Sequence, residues 1–172
     1  MEVFVSSGVD EFFVAEFFDR GGVADGFGPG TSLTTSTDAP TLNPVYKLVA
    51  VEEDGELQPS MKLSAGKTSY PGAKRVHRFR DDDGTFDRDV LALADEDVGG
   101  EDVLVDVVRD GEIVYDAPSL EDVRERTRET LAALPEDLRA ITDPASYPVS
   151  ISDDLAATTD RTEAALEARM DP

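Results

Sequence analysis

Cysteine and tryptophan are absent from the 172 residues, and His77 is the single histidine. No disulfide and no thiolate metal site is therefore available. Positive charge is scarce: 16 lysines and arginines face 38 aspartates and glutamates, a net charge of −22. Such a surface repels nucleic acid and anionic lipid. Self-repulsion of this size also destabilises a compact state at low salt. The preference for Asp over Glu and Arg over Lys fits a saline cytoplasm, where counterions screen the repulsion. Long hydrophobic runs are missing as well. The apolar stretch from Phe12 to Phe18 is interrupted by Glu16 and is far below the ~20 residues that cross a bilayer. The start is acidic at Glu2 and lacks the basic segment of a signal peptide. A cytoplasmic location follows by elimination.

Two small-residue loops lie one βα unit apart near the start, Ser6-Ser7-Gly8 and Gly28-Pro29-Gly30-Thr31. Val3-Phe4-Val5 reads as a buried strand. Asp10 can cap a helix from Glu11 to about Arg20, which Gly21-Gly22 can end. Val23 to Phe27 reads as a second strand. Both loops then follow the carboxyl ends of strands. If those strands are parallel neighbours, the loop N–H groups lie side by side, where an α/β barrel holds a phosphate. Glycine lets the backbone approach an anion closely, and Thr31 and Ser32 add hydroxyl donors. The apolar residues of the helix run nearly all the way round it, which suits a helix wedged between a barrel and a second layer.

From Leu57 to Arg80 there is no acidic residue, while Lys62, Lys67, Lys74, Arg75, Arg78 and Arg80 accumulate. A pocket for a multiply charged anion needs nearby carboxylates removed, so this ribbon is a candidate anion site. The alternative is a basic strand pair set against acidic neighbours. Only Tyr70 and Phe79 are aromatic in this window, and the net charge is repulsive, which argues against a nucleic-acid surface. Asp81-Asp82-Asp83 precedes Gly84 and reads as a solvated turn rather than a metal site.

The remainder reads as scaffold. Val45 to Val51 and Leu57 to Leu63 are expected strands joined at Asp54-Gly55. Lys74 to Arg80 and Thr85 to Leu93 form a second pair around Asp83-Gly84. Val103, Val105 and Val107 alternate up to Asp110-Gly111, after which Ile113 and Tyr115 resume, a hairpin signature. Ser119 with Asp122 predicts a capped helix to about Leu134, with Leu120, Val123, Thr127 and Leu131 on one face. Pro135 can open a further short helix. Ser152 begins a last helix rich in alanine and acids.

The segments VFVSSGVDE, DGFGPGTSLTTS, VYKLVAV, MKLSAGKTSYPGAKRVHR, VRDGEIVY and LPEDLRAITDPASYPVSIS occur in an order that resembles the C-terminal half of nicotinate phosphoribosyltransferase, of a halophilic archaeal type. The resemblance implies the end of an irregular (β/α) barrel over residues 1–45. A mostly antiparallel β-rich domain follows over 46–118, and a C-terminal helical segment over 119–172. The fold class is thus α/β plus α+β. It also implies that nicotinate and 5-phosphoribosyl 1-diphosphate are joined to give nicotinate mononucleotide with ATP hydrolysis, a salvage route into NAD.

By position, the resemblance implies that Ser6, Ser7 and Gly8 line the ribose-phosphate site. Gly30 and Thr31, supported by Gly28, give N–H groups to the 5-phosphate. Pro29 departs from the family's commoner Val or Ser and has no N–H to donate. Lys47, Lys62 and Lys67 match lysines that reach phosphate or diphosphate, in part across a dimer interface. Mg²⁺ is expected to ride on the diphosphate, with no protein-bound metal. His77 does not match the family's phosphorylated histidine and reads as a structural or surface residue.

The family's chain is about twice as long. Its N-terminal half supplies most barrel strands, the phosphorylated histidine and much of the nicotinate pocket. Catalytic residues are therefore expected there, and the present polypeptide is expected to be inactive alone. Its partner is a homodimer mate or the N-terminal half, with no nucleic acid and no membrane. Two other readings stay open: a non-catalytic phosphate-binding module, and a quinolinate phosphoribosyltransferase-type enzyme.

Overall fold

The computed structural model describes every residue except Ala65, Lys67, Asp171 and Pro172. The chain divides into two units: Met1–Val45 with Ile141–Asp143, and Tyr46–Ala140 with Pro144–Pro172.

In the first unit, strand β1 (Phe4–Ser6) leads into helix α1 (Glu11–Asp19) and returns as strand β2 (Gly26–Gly28). The Asp10 carboxylate caps α1 by accepting the Phe13 N–H at 2.8 Å. The helix ends where Gly21 turns left-handed at φ +78°. Gly21 then donates to the Phe18 carbonyl at 2.9 Å and Gly22 to that of Phe17 at 2.8 Å, which satisfies two orphan carbonyls. Edge-on contacts at 5.4 Å and 5.7 Å pack the Phe17 and Phe18 rings of α1 against Phe27 of β2. The helix is covered on this side only: none of its residues is fully buried, and Phe12 and Phe18 stay half exposed. The two-layer burial suggested by its composition is not present. Helix α2 (Thr31–Thr35) completes the unit.

The second unit is built on a mixed sheet. Strand β3 (Ala50–Glu53) turns through Asp54 and Gly55, at φ +54° and +85°, into antiparallel β4 (Glu56–Pro59). Positive φ at both central residues selects an Asp-Gly pair for a two-residue hairpin. Strands β5 (Lys74–Arg80) and β6 (Phe86–Leu93) form the long antiparallel pair. Short strand β7 (Glu101–Asp102) flanks β5. Hairpin β8 (Val108–Arg109) and β9 (Glu112–Ile113) closes at Asp110-Gly111. Helix α3 (Leu120–Ala133), a 3-10 turn at Glu136–Arg139, strand β10 (Val149–Ile151) and helix α4 (Asp153–Met170) follow. β10 adds in parallel to β6, giving a four-stranded sheet in the order β10-β6-β5-β7. Phe86, Ala92 and Leu155 are the buried apolar centre, with Met61 and Pro71. A closed barrel is not formed by the described strands.

Four expected strands fall short of the patterning, β2 among them, which begins at Gly26 and not at Val23. Residues 41–49 form no ladder, and Tyr46 stands 99% exposed. The Val49 carbonyl instead accepts the N–H groups of Ser60 at 2.9 Å and Gly72 at 2.7 Å. On the other arm of that hairpin, β4 stops at Pro59, so Ser60 to Leu63 lie outside any strand. The alternating run Val103–Val107 is also broken. There the Asp102 carboxylate accepts the Leu104 N–H at 3.0 Å, a local bond that competes with strand pairing. In α3 the expected Ser119–Asp122 capping box forms, yet no residue of that helix is buried and Leu120 and Leu131 are exposed. Gly100 is fixed by crowding: it sits at φ +74°, where a Cβ would lie 2.8 Å from the Arg78 carbonyl oxygen.

One part-buried cluster ties the sheet together. Arg78 on β5 grips Asp89 on β6 through two hydrogen bonds, at 2.9 Å and 2.8 Å. Tyr147, just before β10, donates its hydroxyl to the same carboxylate at 2.9 Å. The Asp89 N–H reaches the Pro148 carbonyl at 3.0 Å, and the Arg78 guanidinium lies 4.5 Å from the Phe86 ring centre. The Arg78 hydrogen bond holds the Asp89 carboxyl below the ordinary carboxylate range, against the opposing effect of burial.

Asp89→Asn is expected to cost about 2 kcal/mol, because it weakens a charge-assisted, bidentate contact and leaves Arg78 under-compensated. A carboxyl with a depressed folded-state pKa stabilises above its unfolded value near 3.9, and the effect fades as pH falls through the folded value. Urea denaturation of both proteins should show the gap at neutral pH and its loss in strong acid.

Candidate phosphate-binding site

β1 and β2 pair in parallel, with Phe4 opposite Gly26, Val5 opposite Phe27 and Ser6 opposite Gly28. The chain therefore leaves both strands at the same end, and Ser7-Gly8 and Pro29-Gly30 emerge from adjacent positions. Asp25 reinforces the start of the pair: its N–H donates to the Val3 carbonyl at 2.9 Å and its carboxylate accepts the Val3 N–H at 2.6 Å.

Ser7 and Gly8 both take left-handed backbone, at φ +77° and +67°. For serine this costs on the order of 1 kcal/mol, a strain tolerated where a loop must hold a special shape. Gly30 precedes the single turn and a half of α2, and its carbonyl accepts from both the N–H and the hydroxyl of Thr34 at 3.1 Å. The Thr31 carbonyl accepts the Thr35 hydroxyl at 2.7 Å. Ser6, Ser7, Gly8, Gly28, Gly30 and Thr31 are all exposed, and a Cβ at Gly8 or Gly30 would meet open space. Close internal packing thus does not require those two glycines. Room for a ligand to approach the backbone remains.

Lys47 and Lys62 belong to the second unit. Lys47 is half-buried on the irregular segment before β3. Lys62 is exposed, and its backbone N–H donates to the Ser69 hydroxyl at 3.1 Å. Lys67 lies outside the described residues.

Four cations of the ribbon, Lys74, Arg75, Arg78 and Arg80, are engaged within the sheet and its loops. Arg75 bonds Asp106 at 3.0 Å and lies 3.5 Å from Asp102. Arg78 is held by Asp89, and Arg80 lies 3.3 Å from Glu101. The Lys74 ammonium caps the carbonyls of Tyr70 at 2.7 Å and Pro71 at 3.3 Å, and burial pushes its pKa down. The alternative of a basic strand set against acidic neighbours is what these side chains form. Its partners lie beyond the carboxylate-free window, on β6, β7 and the loop after β7. His77 sits mid-strand opposite Val90 and Asp102, half-buried, and its Nε2 has no partner among the described residues. The Asp83 carboxylate accepts the Thr85 N–H at 3.0 Å in a solvated turn.

Two features escaped the patterning. The Arg78–Asp89 pair was readable from hairpin arithmetic, since a turn centred on Asp83-Gly84 sets 78 opposite 89. A cleft of ≈ 410 Å³ beside the loops was not readable. Val9, Val14, Phe27, Leu33 and Ile141 line it, together with Pro29 of the second loop.

The nicotinate phosphoribosyltransferase C-terminal domain family matches residues 98–159. A nicotinate phosphoribosyltransferase of Mycobacterium tuberculosis is 38% identical over all of this chain and 36% of its own length. That of Bacillus subtilis is 30% identical over 89% of this chain and 36% of its own length. The human enzyme is 31% identical over 90% of this chain and 33% of its own length. The crystal structure of human nicotinic acid phosphoribosyltransferase superposes with a TM-score of 0.65 at 24% identity, covering 92% of this chain and 32% of that one. The fold is therefore the mixed α/β arrangement of the matched third of that structure. By sequence, the chain is related to the C-terminal part of the nicotinate phosphoribosyltransferases. It spans about a third of the length of these relatives, so the expected twofold difference in length is closer to threefold.

Because Arg75 and Arg80 are engaged in exposed ion pairs, Arg75→Gln and Arg80→Gln should each change stability by under about 1 kcal/mol. Neither should alter affinity for inorganic phosphate by more than about twofold. Urea denaturation of each variant beside the parent chain checks the first point, and isothermal titration with phosphate the second.

Proposed function

We propose that this chain is the phosphate-gripping C-terminal part of a nicotinate phosphoribosyltransferase. The observation that carries the reading is the parallel β1–β2 register, which brings two glycine loops to one end of neighbouring strands. In this reading β1 and β2 are the last strands of an irregular (β/α) barrel, and residues 46–118 and 119–172 are the β-rich and helical parts that follow it. The substrates are nicotinate and 5-phosphoribosyl 1-diphosphate, in NAD salvage. The working assembly is a homodimer or larger, in a saline cytoplasm.

The transfer joins the nicotinate ring nitrogen to the anomeric carbon of the ribose as the bond to diphosphate breaks. Positive charge builds on the sugar and negative charge on the leaving group. Loop N–H groups of Gly30 and Thr31, with the hydroxyls of Ser6, Ser7 and Thr31, fix the 5-phosphate so that the sugar cannot drift. Pro29 donates nothing, so the anion rests on its neighbours. Lys47, Lys62 and Lys67 neutralise the diphosphate as point charges. Among the described residues no three metal-ligating side chains converge, and a donor set of hydroxyls, amides and lysines fits a phosphate rather than a bare cation. Mg²⁺, carried on the diphosphate, supplies further neutralisation of the leaving group, and ATP hydrolysis is coupled to the reaction.

Two strands cannot close a barrel that needs about eight. The 172-residue polypeptide is therefore expected to bind ribose 5-phosphate but to form no nicotinate mononucleotide from nicotinate, the sugar diphosphate and ATP. Amide shifts on titration with ribose 5-phosphate should centre on Ser7, Gly8, Gly30 and Thr31. Gly30→Asp, which sets a carboxylate against the phosphate, should weaken binding by at least about tenfold. Shifts confined to other parts of the chain would end the assignment, and turnover by this polypeptide alone would refute the need for further barrel strands.

A further inference from the structure

A groove of ≈ 240 Å³ runs between β4 and α4, lined by Gln58 and Pro59 on one side and by Thr158, Arg161, Thr162, Ala165, Leu166 and Arg169 on the other. Its charge pattern is unlike the rest of the molecule. Not one lining residue is acidic, in a chain with 38 carboxylate side chains. At 100° per residue, Thr158, Thr162, Ala165 and Arg169 fall on one stripe of α4, and Asp160, Glu163 and Glu167 fall on the opposite side.

The two arginines of this groove also differ from most others. Arg20, Arg75, Arg78, Arg80, Arg88 and Arg109 each hold a carboxylate within 4 Å. Among the described residues Arg161 and Arg169 have none. Arg161 is instead steadied by a hydrogen bond from its guanidinium to the Thr158 hydroxyl at 2.9 Å. Thr158 is itself buried and accepts the Thr162 hydroxyl on its carbonyl at 2.8 Å. One donor of Arg161 is therefore used to orient the fork, and the rest remain available.

We propose that this groove binds a small organic phosphate, with Arg161 and Arg169 gripping the anion and Pro59 and Leu166 supporting an apolar body. A guanidinium fork matches phosphate oxygens in pairs. Eight residues separate the two arginines, about 12 Å of helix axis, a span that two long side chains close around one ligand. The volume decides the size class: it suits a single ring bearing one phosphate, and falls below the ~300 Å³ lower end of sites for larger ligands. The net charge of −22 opposes any anion, so binding is weak, with a dissociation constant of about a millimolar. This site does not depend on the glycine loops, and its test separates the two.

Phenyl phosphate titrated into the 172-residue chain at low salt, followed by residue-resolved NMR, should shift the Arg161 and Arg169 Nε–H signals and the Gln58 carboxamide. Arg161→Gln and Arg169→Gln should each weaken those shifts about fivefold or more, with the melting temperature unchanged and loop signals from Gly8 and Gly30 behaving as in the parent. Arg124→Gln, on α3, serves as the control and should leave the groove response intact. Silent groove signals, or a response that survives Arg161→Gln with Arg169→Gln combined, would overturn the proposal. Benzoate binding as tightly as phenyl phosphate would overturn the assignment to phosphate.

Discussion

The grip of Arg78 on Asp89 is where the second unit is held together. It joins the two longest strands across their middle, and the Tyr147 hydroxyl brings the chain that leads into β10 and α4 onto the same carboxylate. From that point β10 is delivered in register against β6, with Ile151 opposite Leu91. Ser152 then caps α4 by accepting the Leu155 N–H at 3.2 Å, while its own hydroxyl donates to Glu96 at 2.7 Å. Leu155 closes the apolar centre beneath. A charge pair this shielded stabilises only when both partners are well bonded; here two arginine donors and a tyrosine hydroxyl meet the carboxylate.

The same economy explains how so acidic a chain places its few cations. On β5, Arg75, Arg78 and Arg80 neutralise carboxylates of β6, β7 and the loop after β7, while Lys74 caps backbone carbonyls. On the solvated helices, Arg124 and Arg128 pair with glutamates three residues earlier, Glu121 and Glu125, contacts worth a few tenths of a kcal/mol each. Against this background a cation without a carboxylate is informative in a way it would not be in a neutral protein. Among the described residues Arg126 and Arg139 also lack an ion pair, but only Arg161 and Arg169 share a groove without an acidic lining residue, and that is why they merit a ligand.

Local signals in the sequence read well. Asp10, Ser119 with Asp122, Gly21-Gly22 and the three Asp-Gly turns each fixed an element end, because caps and left-handed turns depend on neighbours a few residues away. The Asp83-Gly84 turn separated β5 from β6 as expected. What the patterning could not show was competition at longer range. The valines from 103 to 107 alternate like a strand, yet Asp102 and Asp106 turn to Arg75 and the ladder stops. Lys74 belonged to a cationic run, but its ammonium found the carbonyls of the Tyr70-Pro71 bend. Of the candidate site, the two glycine loops were legible, because a short βαβ unit dictates that both leave the sheet at one end. The roles of Lys47 and Lys62 rest on resemblance, since nothing local distinguishes a lysine that awaits a phosphate from one that is merely solvated.

The first unit shows what a fragment of a parallel sheet requires. Two parallel strands with two short helices leave Phe4 68% and Leu33 66% exposed, although parallel sheets are ordinarily covered on both faces and a two-stranded sheet is marginal by itself. Val23 and Phe12 are exposed as well. The site that the loops form depends on the strands behind them being rigid, because a phosphate held by backbone donors binds only as well as those donors are fixed. In the proposed reading, further strands and helices of the barrel would cover this surface and stiffen the loops together. Phosphate affinity and the burial of Phe4 and Leu33 are then one property: what covers the apolar face also sets how firmly Gly30 and Thr31 can hold an anion.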